Sequence, residues 1–217
     1  MDFFKIDSVF FTILGYAMSF LEFTAVIFGL LAVWLSARAN IWSWPLGIIN
    51  VTLAGVFYYQ IQLYPDMFLQ VFFFVTNLLG WWRWSHPEPG EEDKKKELRI
   101  SRMDWRQFSV VFLIGIVGTG VMGALASRLH EWLPNLFSLP SAYPYTDSFI
   151  LVMSITTTFL MVQKKVECWI IWIVIDVVAT YLYFIKGAMF FSVEYFIFTI
   201  LASMGLWHWA REYRSYT

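Results

Sequence analysis

Two tryptophans and one aspartate are spaced to form a binding surface on one helix. Trp169, Trp172 and Asp176 stand at positions i, i+3 and i+7 of an apolar stretch, so they share a helical face. Indole rings stack on flat rings or attract cations, and a carboxylate supplies charge or accepts hydrogen bonds. The pattern predicts a site for a flat, polar or cationic ring. The alternative is that both tryptophans pack between helices and that Asp176 bonds a polar neighbour.

Other polar side chains within apolar stretches extend this candidate site. They are Trp44, Asn50, Gln70, Asn77, Glu194, Tyr195 and Thr199. Asn50 shares a stripe with Trp44, and Gln70 and Asn77 stand at i and i+7. Their amides, with the hydroxyls and carboxylate of the last stretch, suit a ribose-like polyol. Two alternatives stay open: Asn50 could make an interhelical hydrogen bond, and Glu194 could interact with the positive end of its own helix.

The composition is that of a membrane protein. Of 217 residues, 59% are hydrophobic and 14% are charged, and the mean hydropathy is +0.60. Soluble domains have about 45–50% apolar and about 25% charged residues. The net charge of −1 gives no reason to expect a nucleic-acid partner.

Several kinds of enzyme and cofactor site are not indicated. The single cysteine, Cys168, excludes an intrachain disulfide and a cysteine-based metal cluster. His86, His130 and His208 lack metal-ligand spacing, so we expect no metal and no other cofactor. Neither a nucleophile elbow nor a P-loop is present, so the chain is predicted to be neither an enzyme nor an ATP-powered pump by itself.

Seven apolar stretches are long enough to be membrane spans once interfacial aromatics are included. They cover residues 20–35, 45–59, 67–82, 108–127, 149–162, 169–184 and 190–209. The predicted fold class is an all-α integral membrane protein whose seven helices form a 3+1+3 arrangement of two parallel three-helix repeats. Three spans reverse the direction of the chain, so a second copy in the same orientation needs one more crossing, which the fourth span supplies.

The repeat is visible in residues 42–84 and 168–209. Asn50 and Asp176 lie 126 positions apart, whereas Gly80 and Gly205 lie 125 apart. These spacings predict a difference of one residue in the intervening loop. Repeated halves are typical of transporters that bind substrate between them near the membrane midplane.

The remaining segments are predicted from charge and length. The predicted division is an interfacial or packed helix at 1–19, a first repeat at 20–84, a charged solvated cytoplasmic linker at 85–106, a joining membrane helix at 107–128, an extracytoplasmic loop at 129–147, a second repeat at 148–210 and a cytoplasmic tail at 211–217. All Lys and Arg residues except Lys5, Arg128 and Lys186 fall on one side of the seven spans. The positive-inside rule therefore places the N-terminus outside and the C-terminus in the cytoplasm.

These residues resemble the PnuC family of bacterial vitamin transporters over most of the chain. The first half carries Asn40-Ile-Trp-Ser-Trp-Pro-Leu-Gly-Ile-Ile-Asn50, Tyr58-Tyr-Gln60 and Gly80-Trp-Trp-Arg-Trp84; the second carries Glu167-Cys-Trp-Ile-Ile-Trp172, Asp176, Leu182-Tyr183, Glu194-Tyr195 and Gly205-Leu-Trp207. Within a chain of seven spans, Trp-x-x-Trp with a downstream Asp is the most specific of these features.

The resemblance implies a fold akin to the SWEET sugar transporters and uptake of nicotinamide riboside by facilitated diffusion across the bacterial inner membrane. The halves would alternate access around the site, and a cytoplasmic riboside kinase would trap the product. It also implies a homotrimer. Family relatives carry thiamine or riboflavin, so these vitamins are alternatives. Proton carriage by Asp176 and a substrate-binding subunit that needs an ATPase partner also stay open.

Overall fold

Helices account for most of the chain. The computed structural model describes residues 4–5, 9–13, 15–60, 62, 64–132 and 140–216. Its helices are α1 (Phe20–Ala37), α2 (Ser43–Gln60), α3 (Tyr64–Ser85), α4 (Trp105–Leu113), α5 (Thr119–Trp132), α6 (Pro144–Val162), α7 (Glu167–Ile185) and α8 (Met189–Arg214). A π-helical turn, Ile114–Gly118, connects α4 to α5, so Trp105–Trp132 is one continuous helix, here called the joining helix.

Five of the predicted spans are long and apolar enough to cross a membrane. They are α1, the joining helix, α6, α7 and α8. The two other predicted spans are also helical, as α2 and α3, but carry more polar side chains, including Asn50, Gln60 and Asn77. The chain is therefore a multi-pass membrane protein.

The segment before α1 is not the predicted helix in its described part. Val9–Ile13 (β1) and Tyr16–Ser19 (β2) pair as an antiparallel hairpin. Gly15 takes a φ of 79° at the turn, a conformation that glycine adopts without steric cost. Residues 1–3, 6–8 and 14 of the predicted 1–19 segment lie outside the described residues.

The linker, residues 86–104, is not the wholly solvated segment that its charges indicated. Leu98 and Ile100 are buried among core residues beside Trp84, because their alternation directs both side chains toward the bundle. The Lys94–Lys96 run is exposed. Two other predicted boundaries shift: α5 continues to Trp132 and α8 to Arg214, so the 129–147 loop and the 211–217 tail are partly helical. Residues 133–139 and 217 are not described.

The helices pack in the same order within each half. α1 packs on α2, and α2 on α3; α6 packs on α7, and α7 on α8. The halves meet where α1 contacts α8 and where α3 contacts α6, and the joining helix packs on α6. Each half thus contributes its first and third helices to the contact between halves.

The backbone repeats with a constant spacing of 125 residues. Ala39 and Lys164 follow the first helix of each half with φ values of 51° and 54°. Gln62 and Gly187 follow the second helix with φ values of 59° and 74°. Positive φ is uncommon for residues other than glycine, so its recurrence at matched positions supports the predicted repeat.

This constant spacing corrects the predicted register. The residue 125 positions before Asp176 is Val51, not Asn50. Asn50 lies within the unbroken helix α2, and Asp176 lies within the unbroken helix α7. Neither helix contains a loop that could change the spacing by one residue. The halves therefore match in backbone, while an apolar residue in one corresponds to a carboxylate in the other.

Four tryptophans close one end of the bundle, here called the tryptophan layer: Trp44, Trp84, Trp169 and Trp209. Trp44 and Trp84 pack edge to face at 5.1 Å, and their equivalents Trp169 and Trp209 do so at 5.5 Å. The indole of Trp84 donates to the Met161 carbonyl at 3.2 Å, and that of Trp209 to the Ser36 carbonyl at 2.9 Å. Both bonds cross between halves, and both carbonyls occupy the same register position.

Candidate functional site

A cavity of about 450 Å³ lies between the two halves. Its lining comes from α1, α2, α3, α6, α7 and α8, and it reaches Trp44 and Trp169 of the tryptophan layer at one end. At the other end it reaches Phe190, on which Tyr16 of the hairpin stacks at 5.3 Å. Pockets for small ligands have volumes of about 300–1,000 Å³, so this cavity suits a small molecule.

Trp169, Trp172 and Asp176 all line the cavity, as their spacing on α7 predicts. Asp176 is only 4% exposed, and no described residue forms a hydrogen bond or an ion pair with its carboxylate. Within the described chain, the indole nitrogens of both tryptophans also lack acceptors. Buried polar groups normally have partners, so these three groups are available to a ligand.

The first half contributes Trp44, Asn50, Gln70 and Asn77 to the same cavity. The indole nitrogen of Trp44 has no acceptor among the described residues. Asn50 makes the interhelical bond that was its alternative role, because its Nδ2 donates to the Ala25 carbonyl at 2.8 Å. Asn50 thus fixes α2 against α1 as well as lining the cavity.

The last helix places only part of its predicted set at the cavity. Glu194 and Tyr195 line it, whereas Thr199 faces a separate groove with Ile200 and Trp207. The Thr199 hydroxyl donates to the Tyr195 carbonyl at 3.0 Å within α8. Its proximity along the chain to Glu194 therefore does not place it at the site.

Glu22 is a cavity residue that the sequence interpretation missed. It is buried near the hairpin end, where the Tyr16 hydroxyl donates to its Oε1 at 2.6 Å. The Ser19 hydroxyl caps α1 by accepting from the Glu22 amide at 3.2 Å. A signal was available, because Glu22 is the one charged residue in the 20–35 span.

The cavity is acidic. Glu22, Asp176 and Glu194 line it, and no lysine, arginine or histidine is among its described lining residues. Carboxylates in a low-dielectric site attract cations and repel anions. Aromatic faces and indole donors beside them suit a flat cationic ring bearing hydroxyl or amide groups.

Comparisons with known proteins agree on one family. The family model described as nicotinamide mononucleotide transporter matches residues 19–211. The nicotinamide riboside transporter PnuC of Escherichia coli (strain K12) is 31% identical over 99% of this chain and 96% of its own length. The riboflavin/roseoflavin transporter RibM of Streptomyces davaonensis is 26% identical over 84% of this chain and 81% of its own length.

A solved structure has the same fold. The crystal structure of the vitamin B3 transporter PnuC aligns with a TM-score of 0.67 and 24% identity, covering 91% of this chain and 83% of that one. At this identity the likeness supports the arrangement of helices rather than any individual contact in the cavity.

Proposed function

This chain belongs to the nicotinamide mononucleotide transporter family, and from that membership we propose that it carries nicotinamide riboside across the membrane. The observation that carries the proposal is the acidic, aromatic cavity between the halves. The pyridinium ring of the riboside is cationic and flat, and its ribose presents hydroxyls. Trp169 and Trp172 would contact the ring, Asp176 would balance its charge, and Asn77, Gln70 and Glu194 would meet the sugar.

The charge of the cavity lining bears on which of two candidate substrates the chain carries. The family description names a mononucleotide, whereas the E. coli relative is a riboside transporter. A mononucleotide adds a phosphate, which would enter a cavity lined by three carboxylates and, in its described part, no cationic side chain. Like charges in a desolvated site cost several kcal/mol. The lining therefore favours the riboside.

Calorimetric titration of the purified protein tests this discrimination. We expect nicotinamide riboside to bind at least about 100-fold more tightly than its mononucleotide, as several kcal/mol of repulsion implies. Thiamine and riboflavin are titrated in parallel. Equal affinities for riboside and mononucleotide would contradict the charge argument, and preferential binding of thiamine or riboflavin would assign the chain to one of the alternative vitamins.

The mechanism that we propose is facilitated diffusion with alternating access. α1–α3 and α6–α8 would be parallel repeats joined by the Trp105–Trp132 helix, in a 3+1+3 membrane arrangement that the matched backbone spacing supports. The halves would part at the tryptophan layer and at the hairpin end in turn. Cytoplasmic phosphorylation by a riboside kinase would trap the product, and we propose a homotrimer as the assembly.

Uptake by proteoliposomes tests the mechanism. We expect the purified protein alone to equilibrate labelled nicotinamide riboside without ATP or an ion gradient. A requirement for an added ATPase would instead assign the chain to the partner-dependent class. Acceleration of uptake by an imposed proton gradient would instead implicate a proton carrier such as Asp176.

The proposed orientation places the linker and the C-terminus in the cytoplasm of a bacterial cell, the tryptophan layer at the cytoplasmic end of the cavity, and the N-terminus outside the inner membrane. Most Lys and Arg residues lie on that side. We expect a protease added to intact spheroplasts to remove an N-terminal tag and spare a C-terminal one. The opposite pattern would reverse the two ends of the cavity.

A further inference from the structure

The linker connects the two halves at the tryptophan layer. It begins directly after α3 of the first half, and the Leu98 amide donates to the Trp84 carbonyl at 2.9 Å. It then runs beside the α6–α7 loop of the second half, where Ser101 exchanges backbone hydrogen bonds of 3.0 Å with Lys164 and Val166. A separation of the halves at this end therefore has to strain or release these contacts.

Lys164, in the α6–α7 loop, is the charged residue of the second half that pairs with the linker. It is 1% exposed, its Nζ lies 4.4 Å from the centre of the Trp84 ring, and it pairs with linker residue Glu97 at 4.0 Å. Burial lowers the pKa of Lys164, and the Glu97 carboxylate opposes that shift. A buried ammonium that loses its partner is costly, so the pair resists separation.

This arrangement exists on one side of the layer only. The equivalent of Lys164 in the first half is Ala39, which carries no charge, and α8 continues past Trp209 as helix instead of turning into a linker. The pair is therefore an addition to the repeated architecture. Lys164 lies over Trp84, which is one of the two tryptophans that form hydrogen bonds across the halves.

We propose that the linker is a latch, which holds the tryptophan layer closed through the Glu97–Lys164 pair and opens when this end of the cavity opens. The inference rests on the proposed alternating access. The Glu97 carboxylate supports the assignment, because its buried Oε2 has no hydrogen-bond partner within the described residues and has the Lys164 charge beside it.

The protein contains a natural reporter of this opening. Cys168 is its single cysteine, is 0% exposed and belongs to the core cluster that includes Trp44, Trp84, Trp169 and Trp209. Because the thiol is buried in this cluster, we expect a maleimide reagent to reach it when the layer opens. The labelling rate therefore reports the open fraction without an introduced cysteine.

The test compares Glu97→Gln with Glu92→Gln, which makes the same change of charge at an exposed linker position. Both are labelled in detergent without ligand. We expect Glu97→Gln to label roughly 3- to 10-fold faster than the wild type, which corresponds to a loss of about 0.6–1.4 kcal/mol, a size typical of coupling between contacting residues. We expect Glu92→Gln to label at the wild-type rate. Equal rates for Glu97→Gln and the wild type would overturn the latch.

Lys164→Met and the double variant distinguish a latch from general loosening. If the pair acts as a unit, the double variant labels no faster than the faster single variant. If the increases in labelling rate of the two single variants instead multiply in the double variant, the proposal is wrong, whether or not the unfolding temperatures fall. The proposed function has a separate readout, because nicotinamide riboside should change the wild-type labelling rate. Absence of that change would count against the substrate, while the ligand-free comparison would still decide the latch.

Discussion

Replacing Asp176 with asparagine is expected to weaken nicotinamide riboside binding more than any other single exchange in the cavity. The carboxylate is buried and without a partner among the described residues, so a bound pyridinium would be its counter-charge. Loss of one member of a buried charge pair costs about 2–5 kcal/mol, or roughly 30- to 5,000-fold in affinity. Calorimetric titration of the Asp176→Asn variant measures this loss.

Asp147→Asn is the matched control. Asp147 pairs with Lys186 at 3.0 Å near the start of α6, is not a cavity residue and has a partly exposed side chain. We expect its affinity for the riboside to equal that of the wild type. The reduced riboside, which lacks the ring charge, should lose much less affinity in Asp176→Asn. An equal loss for both forms would show that Asp176 acts by shape or hydrogen bonding instead of charge.

The second large effect is expected at Gly205. A Cβ at Gly205 would lie 2.6 Å from the nearest Trp169 ring atoms. A Cβ at the equivalent Gly80 would overlap the Trp44 ring in the same way. Overpacking costs about 1–3 kcal/mol, against a gain of at most about 1 kcal/mol in helix propensity. We expect Gly205→Ala to lower the unfolding temperature and, by displacing Trp169, to weaken riboside binding. Thermal unfolding and titration measure the two effects.

Gly120→Ala separates packing from propensity. Gly120 lies in α5, and a Cβ there would meet nothing within 4 Å. The same substitution should therefore leave binding unchanged and should keep or raise the unfolding temperature. If Gly120→Ala and Gly205→Ala behaved alike, the close approach of the indole to α8 would not be the cause.

The sequence was most informative where one helix decides the geometry. Trp169, Trp172 and Asp176 follow helical periodicity, so their common face required no knowledge of the tertiary fold. Thr199 shows the limit of this argument: its neighbour Tyr195 reaches the cavity, but the rotation of α8 against α7 sets which side of that helix faces inward. That rotation depends on packing between distant segments.

Longer-range features were not readable in the same way. The linker looked solvated because its charges outnumber its apolar residues, yet Leu98 and Ile100 find a buried surface supplied by both halves. The hairpin was interpreted as a helix because apolar residues in a short run fit either period. The register error between Asn50 and Asp176 arose from aligning polar residues, whereas the backbone aligns by its turns.

The two ends of the cavity are built from unrelated parts. Both copies of the Trp–Gly–Trp packing lie at one end, whereas the other end carries the hairpin, whose Tyr16 stacks on Phe190. The four tryptophans at one end and the hairpin at the other share no residue. Each end can be strengthened or weakened by mutation without touching the other, so under the proposed alternating access the balance between outward and inward states would be adjustable from either end of the cavity.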